Sequence, residues 1–184
     1  SDLMQSQVQS YLNRARIAAQ RESVLARTEV QPVLERLVRV MRRLNADKLF
    51  PLAVDPPGLV LAMEQQDVEE TVGNLLENAA RYARAVVDLR VSVAPADVRG
   101  NDDGRKSWIV IEVEDDGPGL EPDQIREAMK RGKRLDESKP GTGLGLSIVS
   151  EITSEYQGTF GLSRGAGGGL LARLVLPAVT KDVA

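Results

Sequence analysis

The chain has 184 residues, of which 42% are apolar and 28% are charged, and its net charge at pH 7 is −3. These values are typical of one well-packed globular domain and give no reason to expect nucleic-acid binding. The absence of cysteine excludes disulfides and thiolate metal sites, and the absence of histidine excludes catalysis by an imidazole of this chain. Since no run of 18 apolar residues occurs, we expect no membrane span within it.

The first predicted element is a helix from Asp2 to about residue 27. Its apolar residues recur at alternating spacings of four and three, which is typical of a coiled-coil seam. No capping pattern precedes the helix, so we expect it to be the end of a longer helix that begins upstream. An ordinary amphipathic helix packed on its own domain is the alternative. The residues of the seam are Met4, Val8, Tyr11, Ala15 and Ala18.

A second helix and two short strands are predicted next. Thr28 and Gln31 have the spacing of a capping box, and Pro32 suits an early turn of the helix that would follow. The strands are predicted over 49–54 and 59–63, as a pair separated by the Pro-Pro-Gly turn at 56–58.

The third predicted helix spans 66–83 and has two distinct faces. At about 100° per residue, Asn74, Asn78 and Arg81 fall within a narrow arc, and Tyr82 lies at its edge. A helix packed on a sheet by its opposite side would therefore present two amides, a guanidinium and a phenol away from the core. The apolar side consists of Val68, Val72, Leu75, Leu76, Ala79 and Ala83.

The remaining pattern indicates the fold class. Strands are predicted over 86–93 and 108–115, a short helix over 122–130, a mobile loop over 131–143, a helix from 144 and a C-terminal hairpin. Adjacent strands joined by short turns favour an α/β (α+β) two-layer sandwich with a mixed, mostly antiparallel sheet and helices on one face. The regular strand–helix alternation of a doubly wound parallel sheet is absent.

Two groups of residues have the chemistry of a site for a nucleotide and its metal. The amide oxygen of Asn78 can ligate Mg²⁺, and Asn74, one turn earlier, can hold a water or a phosphate oxygen. The carboxylate of Asp115 can accept a hydrogen bond from the exocyclic amine of adenine, while Gly117 and Gly119 let the backbone approach the ring. The alternatives are a pair of solvated surface amides and a tight turn after an edge strand.

A third group of residues suits phosphate. Gly141, Gly143 and Gly145 precede a predicted helix, and backbone amides at a helix N-terminus bind anions. Arg134 and Lys139 flank this segment and can meet phosphates. The spacing fits neither the dinucleotide-binding fingerprint nor the Walker loop. The alternatives are a loop with flexible glycines and solvated charges.

Together, NLLENAARYA (74–83), DDGPG (115–119) and GTGLGLS (141–147) resemble the N, G1 and G2 boxes of the GHKL ATP-binding superfamily. The resemblance covers about residues 30–177 and is strongest to bacterial sensor histidine kinases of the PhoQ-like type. It implies the Bergerat-type sandwich of that superfamily. It also implies that residues 1–27 end a dimerisation and phosphoacceptor helix, that 28–178 form the catalytic ATP-binding domain, and that 179–184 are a tail.

The resemblance implies roles for individual positions, with ATP and Mg²⁺ as ligands. Asn78 would ligate the metal, Tyr82 would border the adenine, and the loop 131–143 would be the ATP lid. The implied catalytic residues are Asn74, Arg81 and Arg134. The implied nucleotide contacts are Asn74, Asn78, Arg81, Tyr82, Asp115, Gly117, Gly119, Arg134, Lys139, Gly141, Thr142, Gly143, Leu144 and Gly145.

Two positions depart from the family pattern. Met129 stands where the family usually has a phenylalanine, which implies looser anchoring of the lid. Thr142 stands where the PhoQ-like relatives carry a glutamine, which puts one metal or phosphate contact in doubt.

The residue at position 74 bears on the reaction. Hydrolytic members of the superfamily carry a glutamate there as general base, and an amide cannot accept a proton. Glu77 lies about 100° around the helix from Asn78 and is poorly placed to replace it. A neutral imidazole needs no strong base, so Asn74 favours phosphoryl transfer to a histidine, which must lie outside this chain.

The resemblance also implies partners and a location. They are a response-regulator receiver domain, a second copy joined through the N-terminal helix, and a bacterial inner membrane reached only through other segments, with this domain in the cytoplasm. The competing interpretations are a nucleotide-binding pseudokinase or phosphatase, a hydrolytic ATPase of the same fold, and an interaction module that binds no nucleotide.

Overall fold

The computed structural model describes residues 2–22, 26–101, 107–134 and 144–179, with the backbone alone for 17–22, 131–134 and 144. The helices are α1 (Asp2–Glu22), α2 (Val30–Leu44), α3 (Gln65–Tyr82), α4 (Pro122–Arg134) and α5 (Leu144–Glu155). The strands are β1 (Thr28–Glu29), β2 (Leu52–Asp55), β3 (Val60–Leu61), β4 (Val87–Val93), β5 (Ser107–Asp115), β6 (Thr159–Arg164) and β7 (Leu170–Ala178).

The strands form one sheet in the order β1-β3-β7-β5-β4-β2, and β6 pairs with β7. The β2–β4 pair is parallel, whereas the other strand pairs are antiparallel. The longest pairing joins β5 to β7 and places Ile111 opposite Leu174. The predicted mixed, mostly antiparallel sheet is therefore confirmed.

The two faces of the sheet differ in polarity because side chains alternate along each strand. Leu89, Ile111 and Leu174 point to the helices and belong to one large core with the apolar side of α3. On the other face, Arg90 pairs with Asp88, Glu112 and Glu114, and a smaller cluster lies under the segment after β4. The predicted two-layer arrangement follows from this division. The apolar residues of α3 in the core are Val68, Val72, Leu75, Leu76, Ala79 and Ala80.

The predicted capping box is wrong. Thr28 lies in β1, and the residue before α2 is Glu29, whose side chain makes no capping hydrogen bond. The hydroxyl of Thr28 instead donates to the carbonyl oxygen of Met63 at 2.7 Å. Pro32 is the third residue of α2, where its missing N–H has no intrahelical partner to lose.

The predicted pairing of the strands around the Pro-Pro-Gly turn is also wrong. β2 pairs with β4, and Leu52 lies opposite Leu89. β3 lies on the other side of the sheet, between β1 and β7. The chain therefore crosses the sheet between these two strands, instead of turning back as a hairpin.

The predicted boundary between the helix 122–130 and the loop 131–143 differs from the structure. The helix predicted over 122–130 continues as α4 to Arg134, so the first four residues of the predicted loop are helical. The rest of that loop, 135–143, lies outside the described residues. The predicted paired strands over 86–93 and 108–115, the helix from 144 and the C-terminal hairpin are confirmed as β4 with β5, α5, and β6 with β7.

The apolar seam of α1 does not face the domain. Met4, Val8 and Tyr11 are 64%, 53% and 72% exposed. Contact with the domain is made from the polar side of the helix, where the hydroxyl of Ser10 donates to Glu151 of α5 at 2.6 Å. The alternative of an amphipathic helix packed by its apolar side on its own domain does not fit these positions.

Replacement of a core leucine should lower the free energy of unfolding much more than replacement of a surface leucine. We expect Leu76→Ala to lower the free energy of unfolding by about 2–5 kcal/mol, because the side chain is fully buried and its removal leaves a cavity. Leu44→Ala is the matched control, since Leu44 is 72% exposed, and should change that free energy by less than about 0.5 kcal/mol. Urea unfolding followed by circular dichroism measures both; equal losses would contradict this account of the core.

Candidate functional site

A cavity of about 650 Å³ lies among α3, α4, α5 and the β6–β7 hairpin. This volume is within the range of pockets that hold small ligands. Its wall combines a largely apolar lining with a few polar groups. The lining residues are Asn78, Tyr82, Asp115, Pro118, Gly119, Leu120, Glu121, Gln124, Glu127, Ala128, Leu146, Leu162 and Leu170.

Four of the predicted site residues meet at this cavity: Asn78, Tyr82, Asp115 and Gly119. Asn78 is half-buried on α3, and Tyr82, at the end of that helix, is 43% exposed. A smaller cavity of about 350 Å³ lies beside α2 and β2 and is lined by none of the predicted residues. The larger cavity is therefore the candidate site.

Asp115 is the most buried polar group in the cavity wall, and only 5% of its surface is exposed. One carboxylate oxygen, Oδ1, accepts hydrogen bonds from the backbone N–H groups of Gly117 at 2.9 Å and Leu170 at 3.3 Å. Burial raises the pKa of Asp115 above its ordinary value, although these two hydrogen bonds act in the opposite direction. Neither bond uses Oδ2, so the fixed carboxylate can offer that oxygen to a ligand.

Glycines allow the DDGPG turn, the end of α3 and the β6–β7 turn to approach one another around Asp115. A Cβ at Gly117 would collide with the carbonyl oxygen of Tyr82, and one at Gly169 would collide with the backbone of Asp115. Gly119 has φ +70°, and a Cβ there would meet the carbonyl oxygen of Gly168. Side chains at these positions would separate the DDGPG turn from α3 and from the β6–β7 turn.

Asp116, the second carboxylate of DDGPG, has a structural role. Its side chain accepts hydrogen bonds from the backbone N–H groups of Arg84 at 2.8 Å and Ala85 at 3.0 Å. Burial alone would raise the pKa of Asp116, but hydrogen bonds from Ala85, Val86 and Arg84 outweigh that effect and lower it. The carboxylate thus joins the turn to the segment that follows α3.

Asn74 and Arg81 lie outside the cavity lining. The amide nitrogen of Asn74 donates to the carbonyl oxygen of Glu70 at 2.6 Å. Its amide oxygen lies beside Gly145, 3.1 Å from the position that a Cβ would take. Asn74 therefore contacts the first turn of α5, while Arg81 is exposed at the other end of α3.

Six further predicted contacts lie between residues 134 and 144. Lys139, Gly141, Thr142 and Gly143 lie outside the described residues, as do the side chains of Arg134 and Leu144. Their roles stay predictions. Met129, the departure from the family's phenylalanine, is half-buried on α4.

Sequence reasoning missed most of the cavity wall. Leu146 on α5, Leu162 on β6 and Leu170 on β7 supply its apolar surface. Each occupies a position of ordinary apolar periodicity, which predicts a core residue equally well. The sequence predicts the C-terminal hairpin only as a structural element, yet Leu170, the first residue of its second strand, donates its N–H to Asp115.

The wall fits a nucleotide with its metal. Apolar side chains can cover the faces of a planar base, and the carboxylate of Asp115 supplies an acceptor at the same surface. Asn78 offers an uncharged oxygen, and Mg²⁺ bound to nucleotides takes few ligands from protein and the rest from phosphate and water.

Comparison with known proteins identifies the family of the chain. Residues 63–180 match the family described as histidine kinase-, DNA gyrase B-, and HSP90-like ATPase. The chain belongs to this family. Among curated relatives, the sensor protein kinase CarS of Pseudomonas aeruginosa is 39% identical over 122 residues, which are 66% of this chain and 25% of the relative. The sensor protein PhoQ of Escherichia coli is 32% identical over 156 residues, which are 83% of this chain and 29% of the relative.

Solved structures show the same fold. The mycobacterial sensor histidine kinase MprB has a TM-score of 0.68 at 23% identity, covering 86% of this chain and all of that one. Full-length ShkA in complex with AMPPNP has a TM-score of 0.68 at 24% identity, covering 98% of this chain and 37% of that one. The chain spans roughly a quarter of the length of the curated relatives CarS and PhoQ. Within its described residues, no helix has the length and apolar character needed to cross a bilayer.

The close approach of the turns predicts a specific sensitivity to side-chain size. We expect Gly117→Ala to lower the free energy of unfolding by about 1–3 kcal/mol, since the new methyl group would overlap the backbone of Tyr82. Gly73→Ala is the control, because nothing lies within 4 Å of its Cβ position and alanine favours a helix interior by about 0.5–1 kcal/mol. Chemical denaturation compares the two variants. Similar effects from both would show that Gly117 is not tightly packed.

Proposed function

We propose that this chain is the ATP-binding catalytic domain of a two-component sensor histidine kinase. It transfers the γ-phosphate of ATP to a histidine outside the chain, for relay to an aspartate of a response-regulator receiver domain. The observation that carries the proposal is the buried Asp115 carboxylate, held by two backbone N–H groups in the wall of a cavity that also contains Asn78. Family membership supports it, since the matching model includes histidine kinases.

Asp115 gives the cavity a preference for adenine. Its Oδ2 can accept a hydrogen bond from the exocyclic amine of adenine, whereas guanine presents a carbonyl oxygen at that position and would be repelled. A hydrogen bond to a charged group contributes about 1.5–3 kcal/mol, or one to two factors of ten in affinity. The leucines of the wall would pack on the faces of the base.

Asn78 is the residue that would hold Mg²⁺. Its side chain lies at the cavity on the same helix as Tyr82, one turn away. Mg²⁺ would supply charge neutralisation at the β- and γ-phosphates. The cations Arg81 and Arg134 would then assist transfer near the phosphates, as the family pattern implies.

The surroundings of Asn74 favour transfer over hydrolysis. This amide cannot accept a proton, and its nitrogen already donates a hydrogen bond to the carbonyl oxygen of Glu70. Glu77 is exposed, and Glu121, in the cavity wall, pairs with Arg164 at 3.1 Å. With no general base on α3 beside Asn78, the reaction needs a nucleophile that is already reactive, and a neutral imidazole is one.

The rest of the intact protein is also part of this proposal. The exposed seam of α1 suits pairing with the same helix of a second copy, because Met4, Val8 and Tyr11 lie on one side and are not covered by the domain. Residues 1–27 would then end the dimerisation and phosphoacceptor helix. Segments outside this chain would provide the acceptor histidine and the attachment to the membrane, with this domain on its cytoplasmic side.

Nucleotide selectivity tests the role of Asp115. Asp115→Asn should weaken binding of Mg-ATP by about 10- to 100-fold, because the acceptor for the exocyclic amine of adenine is lost. It should also narrow the preference for Mg-ATP over Mg-GTP. The amide oxygen of the new side chain can keep the two backbone hydrogen bonds, while its NH₂ group donates to the carbonyl oxygen of guanine. Isothermal titration calorimetry measures both nucleotides. Asp97→Asn, at an exposed position outside the cavity, is the control and should behave like the parent. Parent-like affinity and selectivity in Asp115→Asn would refute the proposed base recognition.

The second test concerns the reaction. The chain should transfer label from γ-labelled Mg-ATP to a separate chain that carries the acceptor helices of a sensor kinase of this family. The product should be acid-labile and alkali-stable, as expected of phosphohistidine. This chain itself should stay unlabelled, because it contains no histidine. Acid-labile label on this chain would contradict the proposal, and steady phosphate release without transfer would instead indicate hydrolysis.

A further inference from the structure

Helix α1 contacts the domain along one polar face. Its half-buried residues are spaced by four, three and three positions, which places them on one side of a helix. At about 100° per residue, the centre of this side lies nearly opposite the apolar seam. The residues of the polar face are Ser6, Ser10, Asn13 and Arg16.

One contact of this face is made with a fully buried carboxylate. Asp67, in the first turn of α3, has 0% of its surface exposed. The guanidinium of Arg16 donates to its Oδ1 at 2.7 Å, and the hydroxyl of Tyr156 donates to its Oδ2 at 2.6 Å. The backbone N–H of Glu64 donates in turn to the hydroxyl oxygen of Tyr156 at 3.3 Å. We call Arg16, Asp67 and Tyr156 the Asp67 cluster.

The cluster joins three separate parts of the chain. Asp67 and Tyr156 belong to the domain and are both almost fully buried, whereas Arg16 comes from α1 and remains partly exposed. Burial and the neighbouring Asp67 carboxylate raise the pKa of Tyr156 well above its ordinary value, which favours the protonated phenol that donates to Asp67. Without Arg16, the buried Asp67 carboxylate would keep the hydrogen bond from Tyr156 but would lose the positive charge that offsets its desolvation.

Two other described side chains of α1, Ser10 and Arg14, also contact the domain. The hydroxyl of Ser10 donates to Glu151 at 2.6 Å. Arg14 lies 3.5 Å from Glu151 and 3.4 Å from Glu155, but its side chain is 59% exposed. Exposed ion pairs of this kind contribute little, because water and salt screen them. The exposed seam residues Met4, Val8 and Tyr11 are on the opposite side of the helix. Within residues 2–16, whose side chains the structure describes, apolar burial therefore adds little to this attachment.

We propose that the Asp67 cluster is a releasable docking site for α1, with Arg16 as the side chain that engages it. The attachment is specific, because one arginine must reach one buried carboxylate. It is also reversible, because a buried ion pair is often no more stabilising than apolar packing. Since the seam lies on the opposite side, α1 can dock on its own domain while the seam contacts a second helix.

The position of the cluster separates docking from nucleotide binding. Asp67 precedes Asn78 by 11 positions on α3, which corresponds to about 16 Å along a helix. The cavity lining contains no residue of α1 or of the cluster among the described residues. Release of α1 should therefore change the freedom of the domain to move relative to α1 and leave Mg-ATP affinity unchanged.

Distance measurement between two labels tests docking directly. The chain has no cysteine, so Gln5→Cys and Ser154→Cys, both at exposed positions, give one defined pair of spin labels on α1 and α5. We expect a narrow distance distribution in the parent and broad distributions in Arg16→Ala and Asp67→Asn, with the double variant no broader than either. Arg14→Ala is the matched control and should keep the narrow distribution.

Tyr156→Phe provides a variant that does not depend on replacing either ion. It keeps the Arg16–Asp67 ion pair, so the distribution should stay narrow. A narrow distribution in Arg16→Ala would overturn the proposal, even if Asp67→Asn unfolded. Calorimetric titration of Arg16→Ala with Mg-ATP should give the affinity of the parent. A parent that bound no Mg-ATP would refute the proposed function while leaving the docking result intact.

Discussion

The carboxylate of Asp115 holds the DDGPG turn and the start of β7 together at the candidate site. It lies at the end of β5, and a single oxygen accepts N–H groups from the DDGPG turn and from the first residue of β7. A buried carboxylate without such donors would lose more in desolvation than it gains. The hydrogen bonds that make burial tolerable are also the ones that orient the free oxygen. Stability and recognition therefore depend on the same side chain.

The rest of the domain places that carboxylate at the edge of the core. The inner face of the sheet is apolar and covered by helices, whereas Arg90 and its acidic neighbours occupy much of the outer face. β5 ends at Asp115, close to the C-terminal end of α3. Tyr82 and Asn78 of α3 therefore line the same cavity as Asp115. The cavity is thus a consequence of where two regular elements end, and glycines let the connecting turns close around it.

Regular periodicity allowed α3, the β4–β5 pair and the C-terminal hairpin to be predicted from sequence, since each has one face against a single core. Thr28 could not be placed in this way, because its hydroxyl bonds to Met63, 35 residues away, and only the tertiary arrangement supplies that partner. The proximity of 49–54 and 59–63 in sequence likewise favoured a hairpin, although β2 is needed at the far edge of the sheet beside β4.

For the site, charge and chemistry were more informative than hydrophobicity. Asp115 and Asn78 could be predicted as site residues because a carboxylate or an amide among apolar residues needs a hydrogen-bond partner or a ligand. Leu146, Leu162 and Leu170 did not stand out, because a leucine that faces a ligand follows the same periodicity as one that faces the core. Asn74 was predicted from its spacing alone, and its contact with Gly145 depends on how α3 and α5 cross.

The hairpin has a consequence for how a ligand would be received. β7 is hydrogen-bonded to β3, β5 and β6, and its first residue, Leu170, forms part of the cavity wall. That wall is thus already ordered before anything enters, so a base packed against it would immobilise few side chains and little backbone. Pre-organisation of this kind keeps the entropic penalty of binding low for the base of the nucleotide, because the base would contact residues of the sheet that are already ordered.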